Sequence, residues 1–190
     1  MFEQLSLFDS IQSQKSVVVF DLETQNLFSE VGGDRAAHLL KLSVGVTYNA
    51  TTGQFRHYHE HEVEGLIDEL FNAEIVVGYN IIKFDFRVLA AYTDRKFSQL
   101  RTVDMFDHLY RRLGFRVSLD SVASATLGAR KIAHGCQAVD WWRAGEIAKL
   151  CEYCQEDVRL THEVYRFGKE NNHVLISQRS GGMRRVPVMW

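Results

Sequence analysis

Two acidic side chains follow the first strongly apolar segment of the chain. Asp21 and Glu23 come directly after residues 16–20, a β-branched and aromatic run typical of a strand buried on both faces. Alternation along a strand places both carboxylates on the same side. Like charges at a buried strand end are unfavourable unless a cation compensates them, and oxygen ligands suit divalent cations. The pair indicates a metal site, although a helix-capping Asp21 and a solvated Glu23 would explain it equally well.

Two further positions repeat this pattern. Asp85 follows a second apolar run at residues 74–79 and opens a predicted helix. Tyr153 and Asp157 are four residues apart on a long predicted helix, so their side chains share one face. Each has an ordinary structural explanation, because acids favour the first turn of a helix and Tyr-Asp pairs at this spacing are common.

Taken together, these positions resemble a known set of motifs. FDLET at residues 20–24, GYNIIKFD at 78–85 and YCQED at 153–157 occur in the order and spacing of the three exonuclease motifs of the DEDD superfamily. The Tyr-x-x-x-Asp form of the last motif resembles the DEDDy subgroup. The second motif is similar to that of the proofreading domain of family-B DNA polymerases and of related stand-alone exonucleases. The resemblance covers about residues 17–165.

The resemblance implies a 3′→5′ exonuclease. It implies that Asp21, Glu23, Asp85 and Asp157 bind two divalent cations, Mg²⁺ or Mn²⁺, and that Tyr153 orients the attacking water. Two such cations can activate a water, relieve charge on the phosphate and stabilise the leaving oxygen. At the positions of Thr24 and Asn80, the resemblance implies contact with the terminal nucleotide or support of the site.

The elements that must position these residues are those of an α/β protein. Apolar runs at 16–20, 39–48, 54–61 and 74–79 predict strands, and the turn chemistry of residues 49–53 predicts a hairpin between the second and third. Helical periodicity is found at 63–71, 85–92, 104–113, 118–127 and 145–169. The order predicts a mixed central sheet with helices on both faces, and the resemblance implies a ribonuclease-H-like fold.

The end of the chain predicts a C-terminal β-hairpin. Residues 173–178 and 186–190 flank Ser180, Gly181 and Gly182. A basic hairpin tip would suit the phosphate backbone of a substrate, and a solvated turn explains it as well; the arginines concerned are Arg179, Arg184 and Arg185.

The first 15 residues predict a tethered peptide, followed by a single domain over residues 16–190. The peptide resembles the bacterial sliding-clamp-binding pentapeptide, Gln-Leu-Ser/Asp-Leu-Phe. In this interpretation Leu7 and Phe8 anchor in an apolar pocket and Gln4 fixes the register, with Leu5 completing the motif. The alternative is an amphipathic turn packed on the domain's own surface.

Composition narrows the class of protein. The 190 residues carry a net charge of −2, but residues 1–80 have 4 Lys/Arg against 12 Asp/Glu, and residues 81–190 have 18 against 12.

Three cysteines and no leader segment predict a cytoplasmic protein without a disulfide framework. No apolar run reaches 18 residues, which predicts no membrane span. Cys151 and Cys154 form a Cys-x-x-Cys, but zinc needs about four ligands and both lie on the apolar face of the long helix.

These observations favour an exonuclease of DNA repair or replication that is recruited by a sliding clamp, with nucleic acid, DNA by preference, as its substrate. An exoribonuclease is the second interpretation, because related acidic sites trim RNA. A catalytically silent nucleic-acid-binding module is the third, and the complete set of acids argues against it.

Overall fold

A mixed sheet of five strands forms the centre of the protein. The computed structural model describes residues 16–128, 136–178 and 181–190. The strands of the sheet are β1 (Val17–Thr24), β2 (Leu42–Asn49), β3 (Gln54–His59), β4 (Ile75–Gly78) and β5 (Thr102–Asp104). They lie in the order β3-β2-β1-β4-β5, with β2 antiparallel to both β1 and β3, and with β4 parallel to both β1 and β5.

Helices cover both faces of this sheet. They are α1 (Phe28–Val31), α2 (Val63–Asn72), α3 (Asp85–Leu89), α4 (Met105–Leu113), α5 (Leu119–Leu127), α6 (Cys136–Arg143) and α7 (Ile147–Asn171). A separate antiparallel hairpin of β6 (His173–Ser177) and β7 (Met183–Pro187) follows. The predicted α/β fold, with a mixed sheet, helices on both faces and a C-terminal hairpin, is confirmed.

The alternation of side chains along β1 divides the core into two parts. Val18 and Phe20 point to the face covered by α2 and α3, whereas Val19 points to the face covered by α4 to α7. Asp21 and Glu23 have the same parity as Val19, so their carboxylates point toward the face on which α7 packs. The central strand therefore presents its two acids to the longest helix.

Several predicted boundaries were wrong, for local reasons. Strand β2 begins at Leu42 rather than 39, because Asp34–Leu39 forms a 3₁₀ helix and Lys41 has a positive φ of 56°. The last strand is Met183–Pro187 rather than 186–190, and α3 ends at Leu89 rather than 92. Strand β5 and helix α6 were not predicted, since three to eight residues give too little periodicity to detect.

Two features complete the description of the fold. Within the described part of the chain, no helix combines the length and apolar character needed to cross a bilayer. Residues 1–15, including the predicted clamp-binding peptide, lie outside the described residues.

Candidate active site

Three of the predicted metal ligands converge at the end of β1. One carboxylate oxygen from each of Asp21, Glu23 and Asp157 can be chosen so that all three lie within 4.8 Å of one another. Asp21 and Glu23 come from the strand, and Asp157 comes from a buried position on α7. Hard divalent cations prefer oxygen ligands, and a partly buried group of three carboxylates fits such a cation.

The fourth acid, Asp85, lies beside this group without belonging to it. Strand β1 pairs with β4 from Val17 to Val19, so among the described residues its later N–H groups on that side have no strand partner. The side chain of Asp85 takes this role, because its Oδ1 accepts a hydrogen bond from the Leu22 N–H at 3.2 Å. Asp85 is 1% exposed. Burial, followed by the charge of Asp21, raises the pKa of Asp85 well above its ordinary value, and a cation would oppose this rise.

Tyr153 lies one helical turn before Asp157, against the acids. The Asp157 carboxyl lies near its phenol, and Trp141 packs edge-on against its ring, with the centroids 5.5 Å apart. Burial first, and then the charges of the three grouped acids, raise the pKa of Tyr153 far above its ordinary value. The phenol therefore keeps its proton and can donate a hydrogen bond to a water or a phosphate oxygen, but it cannot act as a general base.

The thiol of Cys154 contacts Asp21, the first acid of the site. Its thiol lies 3.4 Å from the backbone oxygen of Asp21 and 3.7 Å from Oδ2 of the same residue. Burial and the surrounding carboxylates raise the pKa of Cys154 well above its ordinary value of 9.0. A neutral buried thiol is a poor metal ligand and a weak hydrogen-bond donor. Cys154 thus orients Asp21.

Asp104, a residue that sequence reasoning did not single out, holds the turn that leads to Asp85. Its Oδ1 accepts from the Asn80 N–H at 2.8 Å, and its Oδ2 accepts from the Ile82 N–H at 3.0 Å. It also caps α4 by accepting from the Asp107 N–H. The available signal was an acid at the end of another parallel strand, after Val103. The Ile82 and Asn80 N–H groups, however, lie 22 and 24 residues from Asp104 along the chain, and no local sequence pattern specifies contacts of that kind.

A cleft of about 380 Å³ opens above the three grouped acids. Asp21, Glu23, Tyr153 and Asp157 are among the residues that line it. Apolar residues line it as well, and the rings of Phe28 and Phe84 meet edge to face with centroids 5.7 Å apart. The apolar lining, which sequence reasoning missed, is formed by Leu22, Leu27, Phe28, Leu40, Phe84 and Val139. Such a cleft can hold a planar apolar ring with an anionic group over the acids.

The remaining predicted substrate residues are dispersed. Thr24 lines the acidic cleft, but its hydroxyl donates to the Asn26 backbone oxygen at 2.9 Å. Asn80 lines a different cleft and has a positive φ of 70°. Arg184 and Arg185 are exposed on β7 and do not line the acidic cleft. Arg179 lies outside the described residues.

A comparison with known protein families covers the residues that form this site. Residues 18–167 match the RNase_H_2 family of the RNase H superfamily, a span that includes every acid of the site. This chain belongs to the RNase H superfamily. A search of curated proteins found no match.

Membership of the RNase H superfamily gives the site its coarse chemistry. Ribonuclease-H-like domains of this kind are nucleases that use divalent metals, so the substrate is nucleic acid and the reaction is hydrolysis of a phosphodiester. Asp21, Glu23 and Asp157 form the acidic group that could hold such a metal. The predicted ribonuclease-H-like fold and the nuclease class are confirmed.

Proposed function

We propose that this protein is a metal-dependent 3′→5′ exonuclease that acts on DNA. The observation on which the proposal rests is the group formed by Asp21, Glu23 and Asp157, whose carboxylate oxygens lie within 4.8 Å of one another in a cleft that also has apolar lining residues. The motif order shared with DEDDy exonucleases supports removal of nucleotides from a 3′ end. The cleft, whose lining includes the contacting rings of Phe28 and Phe84, suits one terminal base.

The acids are proposed to hold two divalent cations, Mg²⁺ or Mn²⁺. Asp21, Glu23 and Asp157 are the ligands placed together, and Asp85 adds a fourth carboxylate next to Asp21. When bound, such cations promote ionisation of a water and offset the charge that develops on the phosphate. The three grouped carboxylates repel one another, and this makes the site strongly dependent on cations.

Tyr153 is proposed to position the attacking water. The phenol stays protonated, because burial and the neighbouring acids raise its pKa. It therefore donates a hydrogen bond and fixes the orientation of the water relative to the phosphorus, while the proton that the water loses on ionisation passes to solvent in the open cleft. Asp157, one turn further along the same helix, is the proposed metal ligand nearest in sequence to this phenol, so the water would lie between Tyr153 and the cations held by the acids.

The direct test is a cleavage assay on matched oligonucleotides. Single- and double-stranded DNA and RNA, each labelled at either the 5′ or the 3′ end, would be incubated with Mg²⁺, Mn²⁺ or EDTA. A 3′→5′ exonuclease shortens a 5′-labelled strand in single-nucleotide steps and releases the 3′ label as the first product. Asp21→Ala should abolish both signals. Internal cuts without stepwise shortening would overturn the exonuclease proposal, and degradation of RNA alone would identify an exoribonuclease.

We further propose that residues 4–8 bind a bacterial sliding clamp, which is also the reason for placing the protein in DNA repair or replication. Replacing Leu7 and Phe8 by alanine removes two apolar anchors, each worth about 2 kcal/mol in hot spots of this kind. Calorimetry should then detect clamp binding only with the unaltered peptide. Phe2→Ala, in the same segment but outside the motif, is the matched control. Absence of binding by the unaltered protein would refute the clamp proposal.

A further inference from the structure

A second cleft lies beside the turn that leads to Asp85. It has a volume of about 560 Å³, and Asn80, Phe106 and Arg116 are among its lining residues. Its base is aromatic, because Tyr79 meets Phe106 edge to face with centroids 5.9 Å apart. Tyr110 stacks on the same Phe106 ring at 6.1 Å and 16°, and its side chain is 41% exposed. An aromatic surface is therefore available at the edge of the cleft.

Cations lie over these aromatic rings. The guanidinium of Arg116 is 5.0 Å from the centroid of Phe106, and the Lys83 ammonium is 5.4 Å from the centroid of Tyr110. Arg116 is exposed, so its charge faces solvent. Lys83 lies in the turn between Asn80 and Asp85, two residues before Asp85, so the chain itself joins these basic and aromatic residues to the acidic site. Basic side chains beside stacked rings are the usual composition of a surface that binds single-stranded nucleic acid.

Basic side chains balance the acidic side chains near these aromatic rings. Asp107 forms ion pairs with Lys83 at 3.5 Å and with Arg111 at 2.7 Å. Arg112 is exposed on the same helix and its Nε donates to His108, which leaves the positive charge in place. Asp120, at the start of α5, and the buried Asp104, which accepts from the Asn80 N–H, are further acids of this region, so the four cations Lys83, Arg111, Arg112 and Arg116 still outnumber the three acids. The surface around the cleft therefore keeps a net positive charge, the sign that suits a phosphate backbone.

We infer that this cleft binds unpaired nucleotides upstream of the 3′ end, with a base stacked on Tyr110 and a phosphate beside Arg116. The inference rests on the proposed function, which it extends from the terminal nucleotide to the strand behind it. Stacking on Tyr110 requires an exposed base face, and a double helix hides its base faces, so the ligand is single-stranded DNA or RNA. The turn that carries Asp85 then links strand binding to the catalytic acids.

The test compares substrate lengths in single variants. Tyr110→Ala and Arg116→Ala would be assayed on single-stranded 3-mers and 12-mers of both DNA and RNA. Arg95→Ala is the matched control, because Arg95 also lies over an aromatic ring, that of Phe71 at 3.7 Å, but on the other face of the sheet. We expect kcat/KM for the 12-mer to fall about tenfold in each of the two variants, and by clearly less for the 3-mer. Arg116→Ala should also reduce the slope of log affinity against log salt concentration, by the amount expected for about one phosphate contact.

A binding assay in a variant with one of the proposed metal ligands replaced distinguishes the cleft inference from the exonuclease proposal. In an Asp157→Asn background, fluorescence anisotropy with the 12-mers measures affinity even if the protein cleaves no substrate. Weaker binding of the 12-mers on Tyr110→Ala or Arg116→Ala, with Arg95→Ala unchanged, would support the cleft even if the protein cleaves none of the substrates. Equal losses on the two lengths, or unchanged binding in both variants, would overturn the cleft inference while leaving the exonuclease proposal standing.

Discussion

Replacing Asp157 by asparagine should make the metal-free protein more stable while abolishing its activity. The substitution keeps the shape of the side chain and an oxygen that can accept from Tyr153, but it removes one of three negative charges that lie within 4.8 Å. Two charges at that distance repel by about 1 kcal/mol in water and about 3.5 kcal/mol at an effective dielectric constant of about 20. Asp157 has two such neighbours, and both are only half-buried, so the lower values apply. The gain should be about 2 kcal/mol.

That gain is measurable as a melting temperature. For a chain of this length, about 2 kcal/mol corresponds to a rise of about 4–8 °C. Thermal unfolding would be followed in EDTA and then with added Mg²⁺ or Mn²⁺. Unaltered protein should melt at a higher temperature with the metal than without it, since binding to the folded state stabilises that state. Asp157→Asn should show a smaller response, and its cleavage of a labelled oligonucleotide should be lost.

The control is Asp94→Asn, which removes a charge from an exposed position outside the site. It should leave both the melting temperature and the metal response within the usual range for surface substitutions, about 0.5 kcal/mol. If Asp157→Asn melts in EDTA at or below the temperature of the unaltered protein, the repulsion argument fails. If the variant responds to metal as strongly as the unaltered protein does, Asp157 is not a ligand.

Three further predictions concern residues around the acids. Tyr153→Phe keeps the ring packing and should lower kcat by a larger factor than it changes KM in steady-state cleavage; an unaltered kcat would limit Tyr153 to packing. Asp104→Asn places an amide nitrogen opposite the Ile82 N–H and should lower the free energy of unfolding by about 1–3 kcal/mol in urea melts. Because burial raises the pKa of Asp104 above 3.8, the folded state holds that proton to higher pH, so this loss should shrink as pH rises through the folded pKa. Gly78→Ala would place a Cβ 2.3 Å from Ile81 Cγ2 and 3.1 Å from the Phe20 carbonyl oxygen, so it should cost about 1–3 kcal/mol and reduce cleavage; full activity would mean that the turn tolerates the shift.

The local pattern of the chain determined the parts of the site that lie on one element. A strand at residues 16–20 that is closed by Asp21 and Glu23, with both carboxylates on one side, follows from the β-branched run and the two-residue period; the structure has the strand at Val17–Thr24. The apolar stripe of the long helix and the shared face of Tyr153 and Asp157 follow in the same way from the helical period. Periodicity is a property of consecutive residues, so the sequence alone is enough to specify it.

Only the tertiary structure decided how these elements meet. Asp157 approaches Asp21 and Glu23 because of the position at which α7 packs on the sheet. Asp85 accepts instead from the Leu22 N–H, because α3 packs beside the part of β1 that extends beyond β4. The support that Asp104 provides to the turn at residues 80–82 also joins residues distant along the chain, and so does the apolar lining of the acidic cleft. Such contacts are selected by packing of the whole core, and no single segment of the sequence contains the information that specifies them.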